Sequence, residues 1–130
     1  MRVVYDTSVL ATILSRREEI LRLQQAVSKG HVKLVTSPFI LNELETVLTK
    51  KFKFTKQEAK SRIHLLSRVS EVITPQFVEK IVRDINDDAI IATVVTGRAD
   101  YLVTLDKDML ILKKHKDIII ITLAQFKELV

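Results

Sequence analysis

The chain has 130 residues, 47% of them apolar and 28% charged, with a net charge of +5 and no cysteine. That length supports a core without staples, and the missing cysteines exclude disulfides, thiolate zinc sites and cysteine nucleophiles. Two glycines are too few for a phosphate-cradling loop, no run approaches the ~20 apolar residues of a membrane span, and the positive charge favours a polyanionic partner.

With no signal peptide at its start, the expectation is one soluble, cytoplasmic domain over residues 1–130. Arg2 to Tyr5 is rich in β-branched and aromatic residues and reads as a short strand. Asp6-Thr7-Ser8 supplies oxygen-bearing side chains where that strand hands over to a helix, Thr7 to Leu14. A helix restarts at Ser15–Glu19 and runs to about Lys29, with Ile20, Leu23 and Val27 at helical spacing. Gly30 fits the left-handed position just past its end. Val32 to Thr36 is a second strand. Ser37 caps and Pro38 opens the next helix, which reaches about Lys50 and buries Ile40, Leu44, Val47 and Leu48.

Thr55 caps another helix, with Ala59, Ile63, Leu66 and Val69 on its apolar face. The two helices form a hairpin across the basic, aromatic connection Lys50–Phe54. Glu71 to Ile73 is a minor strand, Pro75 to Arg83 a helix and Asp84 to Asp87 a polar break. From Asp88 a helix apolar almost all round, and therefore buried, leads to Gly97. Tyr101–Thr104 is a strand and Lys107–Leu112 a short helix. Ile118–Ile121 is a strand suited to cover on both faces, and Ala124–Leu129 a closing helix. This alternation predicts a parallel α/β sheet.

In such a sheet each helix starts at the edge where the preceding strand ends, the edge on which open α/β folds place their chemistry. Asp6 follows the first strand, Glu43 lies in the second turn of the helix after the second strand, Asp88 starts a buried helix, and Asp106 follows the Tyr101–Thr104 strand. Right-handed crossovers bring all four to one edge. Two carboxylates ~5 Å apart repel by about 3 kcal/mol at an effective dielectric near 20, and a divalent cation removes that penalty. Oxygen ligands alone favour Mg²⁺ or Mn²⁺ over zinc, which implies metal-assisted hydrolysis of an RNA phosphodiester.

Other readings compete residue by residue. Asp6, Asp88 and Asp106 each precede a helix, where aspartate is a preferred cap, and Glu43 sits at the margin of an apolar face. Asp87 and Asp88 compete for one role. Asp108 is a secondary candidate, equally a favourable charge at a helix start, while Asp84, Asp100 and Asp117 read as solvated. Lys50, Lys51, Lys53, Lys56 and Lys60 around Phe52 and Phe54 suit backbone contact with base stacking; they also suit a solvated hairpin whose phenylalanines serve the core or a dimer contact. Lys113, Lys114, His115 and Lys116 read as a basic loop. His31, His64 and His115 lack ligand spacing, and no serine sits in an elbow-like setting. A phosphoacceptor regulator wants paired acids after the first strand and a lysine after the last, where this chain has Asp6-Thr7 and Thr122-Leu123. A non-catalytic module, holding RNA or protein while the acids cap helices, is the remaining alternative.

The chain resembles PIN-domain ribonucleases, in particular the VapC-like toxins of prokaryotic toxin–antitoxin systems. Val4-Tyr5-Asp6-Thr7-Ser8 is similar to that family's opening block, and Ser37-Pro38 with Asn42-Glu43-Leu44 to its second. Asp88-Ala89-Ile90-Ile91-Ala92-Thr93 resembles the third, which selects Asp88 over Asp87, and Thr104-Leu105-Asp106 the fourth. The resemblance implies a three-layer α/β/α fold on a mainly parallel five-stranded sheet, a Mg²⁺ or Mn²⁺ site and cleavage of single-stranded RNA. It also implies a homodimer or higher homo-oligomer and an inhibiting antitoxin. Carried over, Asp6, Glu43, Asp88 and Asp106 form an acidic quartet, with Asp6 and Asp88 foremost as metal ligands; Thr7 and Thr104 orient the acids or a water, or equally serve as caps near strand ends. Leu105 departs from the small or polar residue of many relatives and narrows the approach there.

Overall fold

The computed structural model describes residues 1–75 and 85–130. In chain order the elements are β1 (Arg2–Tyr5), α1 (Thr7–Leu14), α2 (Arg17–Ser28), β2 (Lys33–Thr36), α3 (Pro38–Lys50), α4 (Lys56–Arg68) and β3 (Glu71–Val72). There follow α5 (Ile85–Thr96), β4 (Tyr101–Val103), α6 (Lys107–Leu110), β5 (Lys114–His115), β6 (Ile118–Ile121) and α7 (Leu123–Lys127). The strands form one sheet in the order β3-β2-β1-β4-β6-β5. Five of them run parallel, and β5 adds a two-residue antiparallel edge to β6. The expected mainly parallel α/β fold is therefore the one adopted.

β1 lies at the centre, hydrogen-bonded to β2 on one side and β4 on the other. Its Val3 and Val4 are fully buried, as a strand covered on both faces requires. The strand order reverses beside β1, so the residue leaving its carboxyl end emerges at the switch point where such sheets form a crevice. Successive side chains of β2 face opposite layers. Leu34 faces a cleft lined by residues of α1, α2 and α4. Val35 on the opposite face meets the end of α5, where a Cβ on Gly97 would stand 2.6 Å from its Cγ1. Only glycine permits that approach. Gly30, at φ +78°, makes the turn that returns α2 into β2.

The helix starts follow their caps. The Ser37 hydroxyl accepts the Ile40 N–H at α3, with Pro38 in its first position, and Thr55 forms a reciprocal capping box with Glu58 at α4. α3 packs on both α1 and α4, and α5 on β1, β2 and α3.

Several boundaries differ from the sequence reading. The helix predicted over Pro75–Arg83 falls, past Pro75, outside the described residues, as does Asp84. Residues 85–87, predicted as a polar break, already belong to α5. β6 is covered on one face rather than two: Ile118 and Ile120 are buried while Ile119, on the opposite face, is 41% exposed. Lys113–Lys116 is not a free loop. Lys114 and His115 pair with β6, between Lys113 and Lys116 at positive φ. Val69 follows α4 and is exposed rather than buried on its face. Among the described residues no helix is long and apolar enough to cross a membrane.

Candidate functional site

Asp6 leaves β1 at the centre of the carboxyl edge, and its backbone N–H donates to the Val103 carbonyl of β4 at 2.9 Å. It occupies the N-cap position of α1, yet its side chain makes no capping hydrogen bond. Its carboxylate accepts the Thr104 hydroxyl at 2.7 Å instead. Capping therefore does not account for this aspartate. The side chain is 6% exposed. Burial raises its pKa above the usual carboxylate value, and the charges of Glu43 and Asp106 raise it further, while the Thr104 hydroxyl and the Thr7 backbone pull it back.

Thr104 is fully buried and sits just past β4. Its oxygen accepts the Asp106 N–H at 3.0 Å, so one hydroxyl joins the first acid to the segment carrying the last. Asp106 caps the short helix α6 by accepting the Asp108 N–H at 2.8 Å. For Asp106 the capping role is thus realised, through Oδ1. Asp108 lies in the first turn of α6 and is half-buried. Leu105, between Thr104 and Asp106, is 54% exposed and turns to solvent.

Glu43 projects from the second turn of α3, half-buried, and accepts the buried Thr7 hydroxyl at 2.5 Å. Thr7 and Thr104 thereby each hold one acid of the sheet edge. Asp88 is buried as the fourth residue of α5, inside that helix rather than preceding it, so it is not the N-cap that the sequence allowed. The structure thus brings Asp6, Glu43 and Asp106 into one electrostatic neighbourhood and puts Asp88 on the helix laid against β1, β2 and α3. Among the described residues, no three acid or imidazole side chains converge as a ligand shell.

The donor chemistry suits a hard divalent cation. Asp6 is a buried carboxylate whose ionised form is penalised by burial and by two neighbouring acids, a penalty that a cation relieves. Every candidate ligand is a carboxyl oxygen, the ligand type preferred by Mg²⁺ and Mn²⁺.

The basic candidates lie apart from this edge. Lys50, Lys51, Lys53 and Lys56 are exposed around the α3–α4 connection. Lys50 is seven residues beyond Glu43, roughly 10 Å along the helix. Phe52 and Phe54 are half-buried against the core, and the Arg62 guanidinium lies 5.5 Å from the centre of the Phe54 ring.

Two polar features escaped the sequence reading. Ser37 and Thr93, both fully buried, have hydroxyl oxygens 3.0 Å apart; the available signal was a lone threonine in the apolar run of α5. Beneath β1, the buried Glu19 pairs with Lys127 of α7, next to Tyr5, whose phenol burial pushes upward. Tyr5 also meets the Phe126 ring edge to face.

A family model described as PIN domain matches residues 2–108. No curated protein matches the chain. Among solved structures, a chain in the crystal structure of VapBC2 from Rickettsia felis bound to a DNA fragment from their promoter aligns with a TM-score of 0.62. The two are 16% identical over 92% of this chain and 97% of that one, a likeness of fold.

Proposed function

The chain belongs to the PIN domain family, and from that premise we propose that it is a Mg²⁺- or Mn²⁺-dependent endoribonuclease cleaving single-stranded RNA, the toxin of a toxin–antitoxin pair. The observation that carries this reading is the Asp6 carboxylate, buried at the switch point of the sheet with Glu43 and Asp106 raising the cost of its charge. In this reading Asp6, Glu43, Asp88 and Asp106 hold the ion. When bound, it supplies an acidified water and stabilises charge on the phosphoryl group.

The chain's own residues do the rest. Thr104 aims Asp6 through its hydroxyl and holds the Asp106 backbone in place. Thr7 holds Glu43 through its hydroxyl, and an acid held in this way needs less reorganisation in the reaction. Exposed lysines at Lys50, Lys51, Lys53 and Lys56 draw the polyanion to the protein. For the antitoxin, an apolar cleft of about 360 Å³ between α1, α2 and α4 offers a seat, lined by Ile13, Leu23, Leu34 and Leu66 with Leu65 and Val69 exposed at its rim. It suits the apolar face of an amphipathic helix. We further propose a single domain acting in the cytoplasm as a homodimer or higher homo-oligomer.

One observation favours a second reading. Asp106 already caps α6 and Glu43 already bonds Thr7, which suits a non-catalytic RNA- or protein-binding module. Incubating the protein with a mixed single-stranded RNA pool, with Mn²⁺ or with EDTA, separates the two. Cleavage dependent on Mn²⁺ and absent from Asp6→Asn supports the nuclease; RNA bound but uncut under both conditions supports the module.

A further inference from the structure

We infer that the buried Ser37–Thr93 hydroxyl pair is a positioning strut that sets Glu43 against Asp88. The inference rests on the metal-site reading above. Ser37 is the N-cap of α3, the helix carrying Glu43, and Thr93 belongs to α5, the helix carrying Asp88. Both side chains are 0% exposed.

Three hydrogen bonds meet at this pair. The Ile40 N–H reaches Ser37 Oγ at 3.4 Å, the two hydroxyl oxygens are 3.0 Å apart, and Thr93 Oγ1 lies 3.0 Å from the Ala89 carbonyl. Each hydroxyl has one proton. All three bonds are satisfied together only when Thr93 donates to Ala89, Ser37 donates to Thr93, and Ile40 donates to Ser37. The result is a directed chain from the first turn of α3 to the carbonyl of the residue after Asp88. Ile40 precedes Glu43 by less than one turn. A single relay therefore links the first turn of α3 to the backbone of α5.

Packing alone does not require the Ser37–Thr93 bond, although the Ser37 hydroxyl is also the cap that accepts the buried Ile40 N–H. Replacing both partners of a buried hydrogen bond with apolar groups is close to neutral for stability, whereas removing one leaves the other unsatisfied. What the pair adds is direction: it fixes the rotation and height of α5 against α3, which interdigitated aliphatic side chains constrain less sharply.

The test compares Thr93→Val, Thr93→Ser and the double variant Ser37→Ala/Thr93→Val with the wild type, reading Mn²⁺ affinity by calorimetry and Tm in metal-free buffer. A buried core control, Ile120→Ala in β6, lowers Tm away from both helices. The strut predicts that Thr93→Val weakens Mn²⁺ binding roughly ten- to hundredfold, that Thr93→Ser restores it, and that the control binds as the wild type. In the double variant Tm stays below the wild-type value, because Ser37→Ala also removes the acceptor of the Ile40 N–H, and Mn²⁺ affinity stays low. A double variant that binds Mn²⁺ as the wild type does overturns the strut and leaves the metal site standing. A wild type that does not bind Mn²⁺ overturns the metal-site reading and the strut with it.

Discussion

The Thr104 hydroxyl donates to Asp6 Oδ2 at 2.7 Å across 98 residues of sequence, and the same oxygen accepts the backbone N–H of Asp106. One buried side chain thus ties the first acid of the sheet edge to the turn that carries the last. Thr104→Val preserves shape and removes both hydrogen bonds. It should cost about 1–3 kcal/mol of stability, the usual penalty for leaving buried polar groups without partners, and should weaken Mn²⁺ binding. Denaturant unfolding with and without Mn²⁺ measures both effects; an unchanged Mn²⁺ increment would remove Thr104 from the site.

Asp6→Asn should abolish Mn²⁺-dependent RNA cleavage with the fold intact, because an asparagine oxygen still accepts from Thr104. Circular dichroism checks the fold and gel-resolved cleavage of single-stranded RNA checks activity. Cleavage at the wild-type rate would take Asp6 out of the mechanism.

The pH dependence of stability follows from the raised pKa of Asp6. In metal-free protein its folded pKa lies above its unfolded value, so between the two the folded state binds more protons than the unfolded state. Stability then falls as pH rises through that window. Below the unfolded pKa the residue is neutral in both states and costs nothing; above the folded pKa the full cost is present. Asp6→Asn should therefore be more stable than the wild type at pH 7 without metal, with an advantage that shrinks on acidification towards pH 3. Urea unfolding across pH measures it, and a wild type more stable than the variant at neutral pH would reverse the sign.

Much of this edge was legible from local pattern. The run Arg2–Tyr5 of β-branched and aromatic residues became the central strand, and Asp6 followed at its end, because both depend on neighbours in sequence. Ser37-Pro38 gave the start of α3 for the same reason. Other features depend on neighbours distant in sequence or on where an element begins, which local composition does not carry. Four isoleucines announce a strand but not whether a layer covers both of its faces, and Ile119 is exposed while Ile118 and Ile120 are buried. The polar residues before Asp88 resemble a break by composition, yet residues 85–87 are helical and Asp88 sits within α5. The Thr7–Glu43 and Ser37–Thr93 bonds join residues 36 and 56 positions apart, and no periodicity encodes such pairings.

Alanine at Lys51 and Lys53 should weaken RNA binding and flatten its salt dependence by roughly 0.7 in log–log slope for each phosphate no longer neutralised. Both side chains are exposed at the α3–α4 connection and neither supports the core. Fluorescence anisotropy with the Asp6→Asn protein, titrated at several salt concentrations, gives the slope without cleavage. An unchanged slope would place the RNA track elsewhere on the surface.

The proposed reaction requires carboxyl oxygens from the β1–α1 junction, α3, α5 and the β4–α6 turn to share one divalent ion. Calorimetric titration of Mn²⁺ into the wild type and into Asp6→Asn, Glu43→Gln, Asp88→Asn and Asp106→Asn tests this directly. The account predicts saturable binding by the wild type and weakened binding in all four variants. Folded wild-type protein that takes up no Mn²⁺, or Glu43→Gln and Asp88→Asn proteins that bind it undiminished, would contradict it.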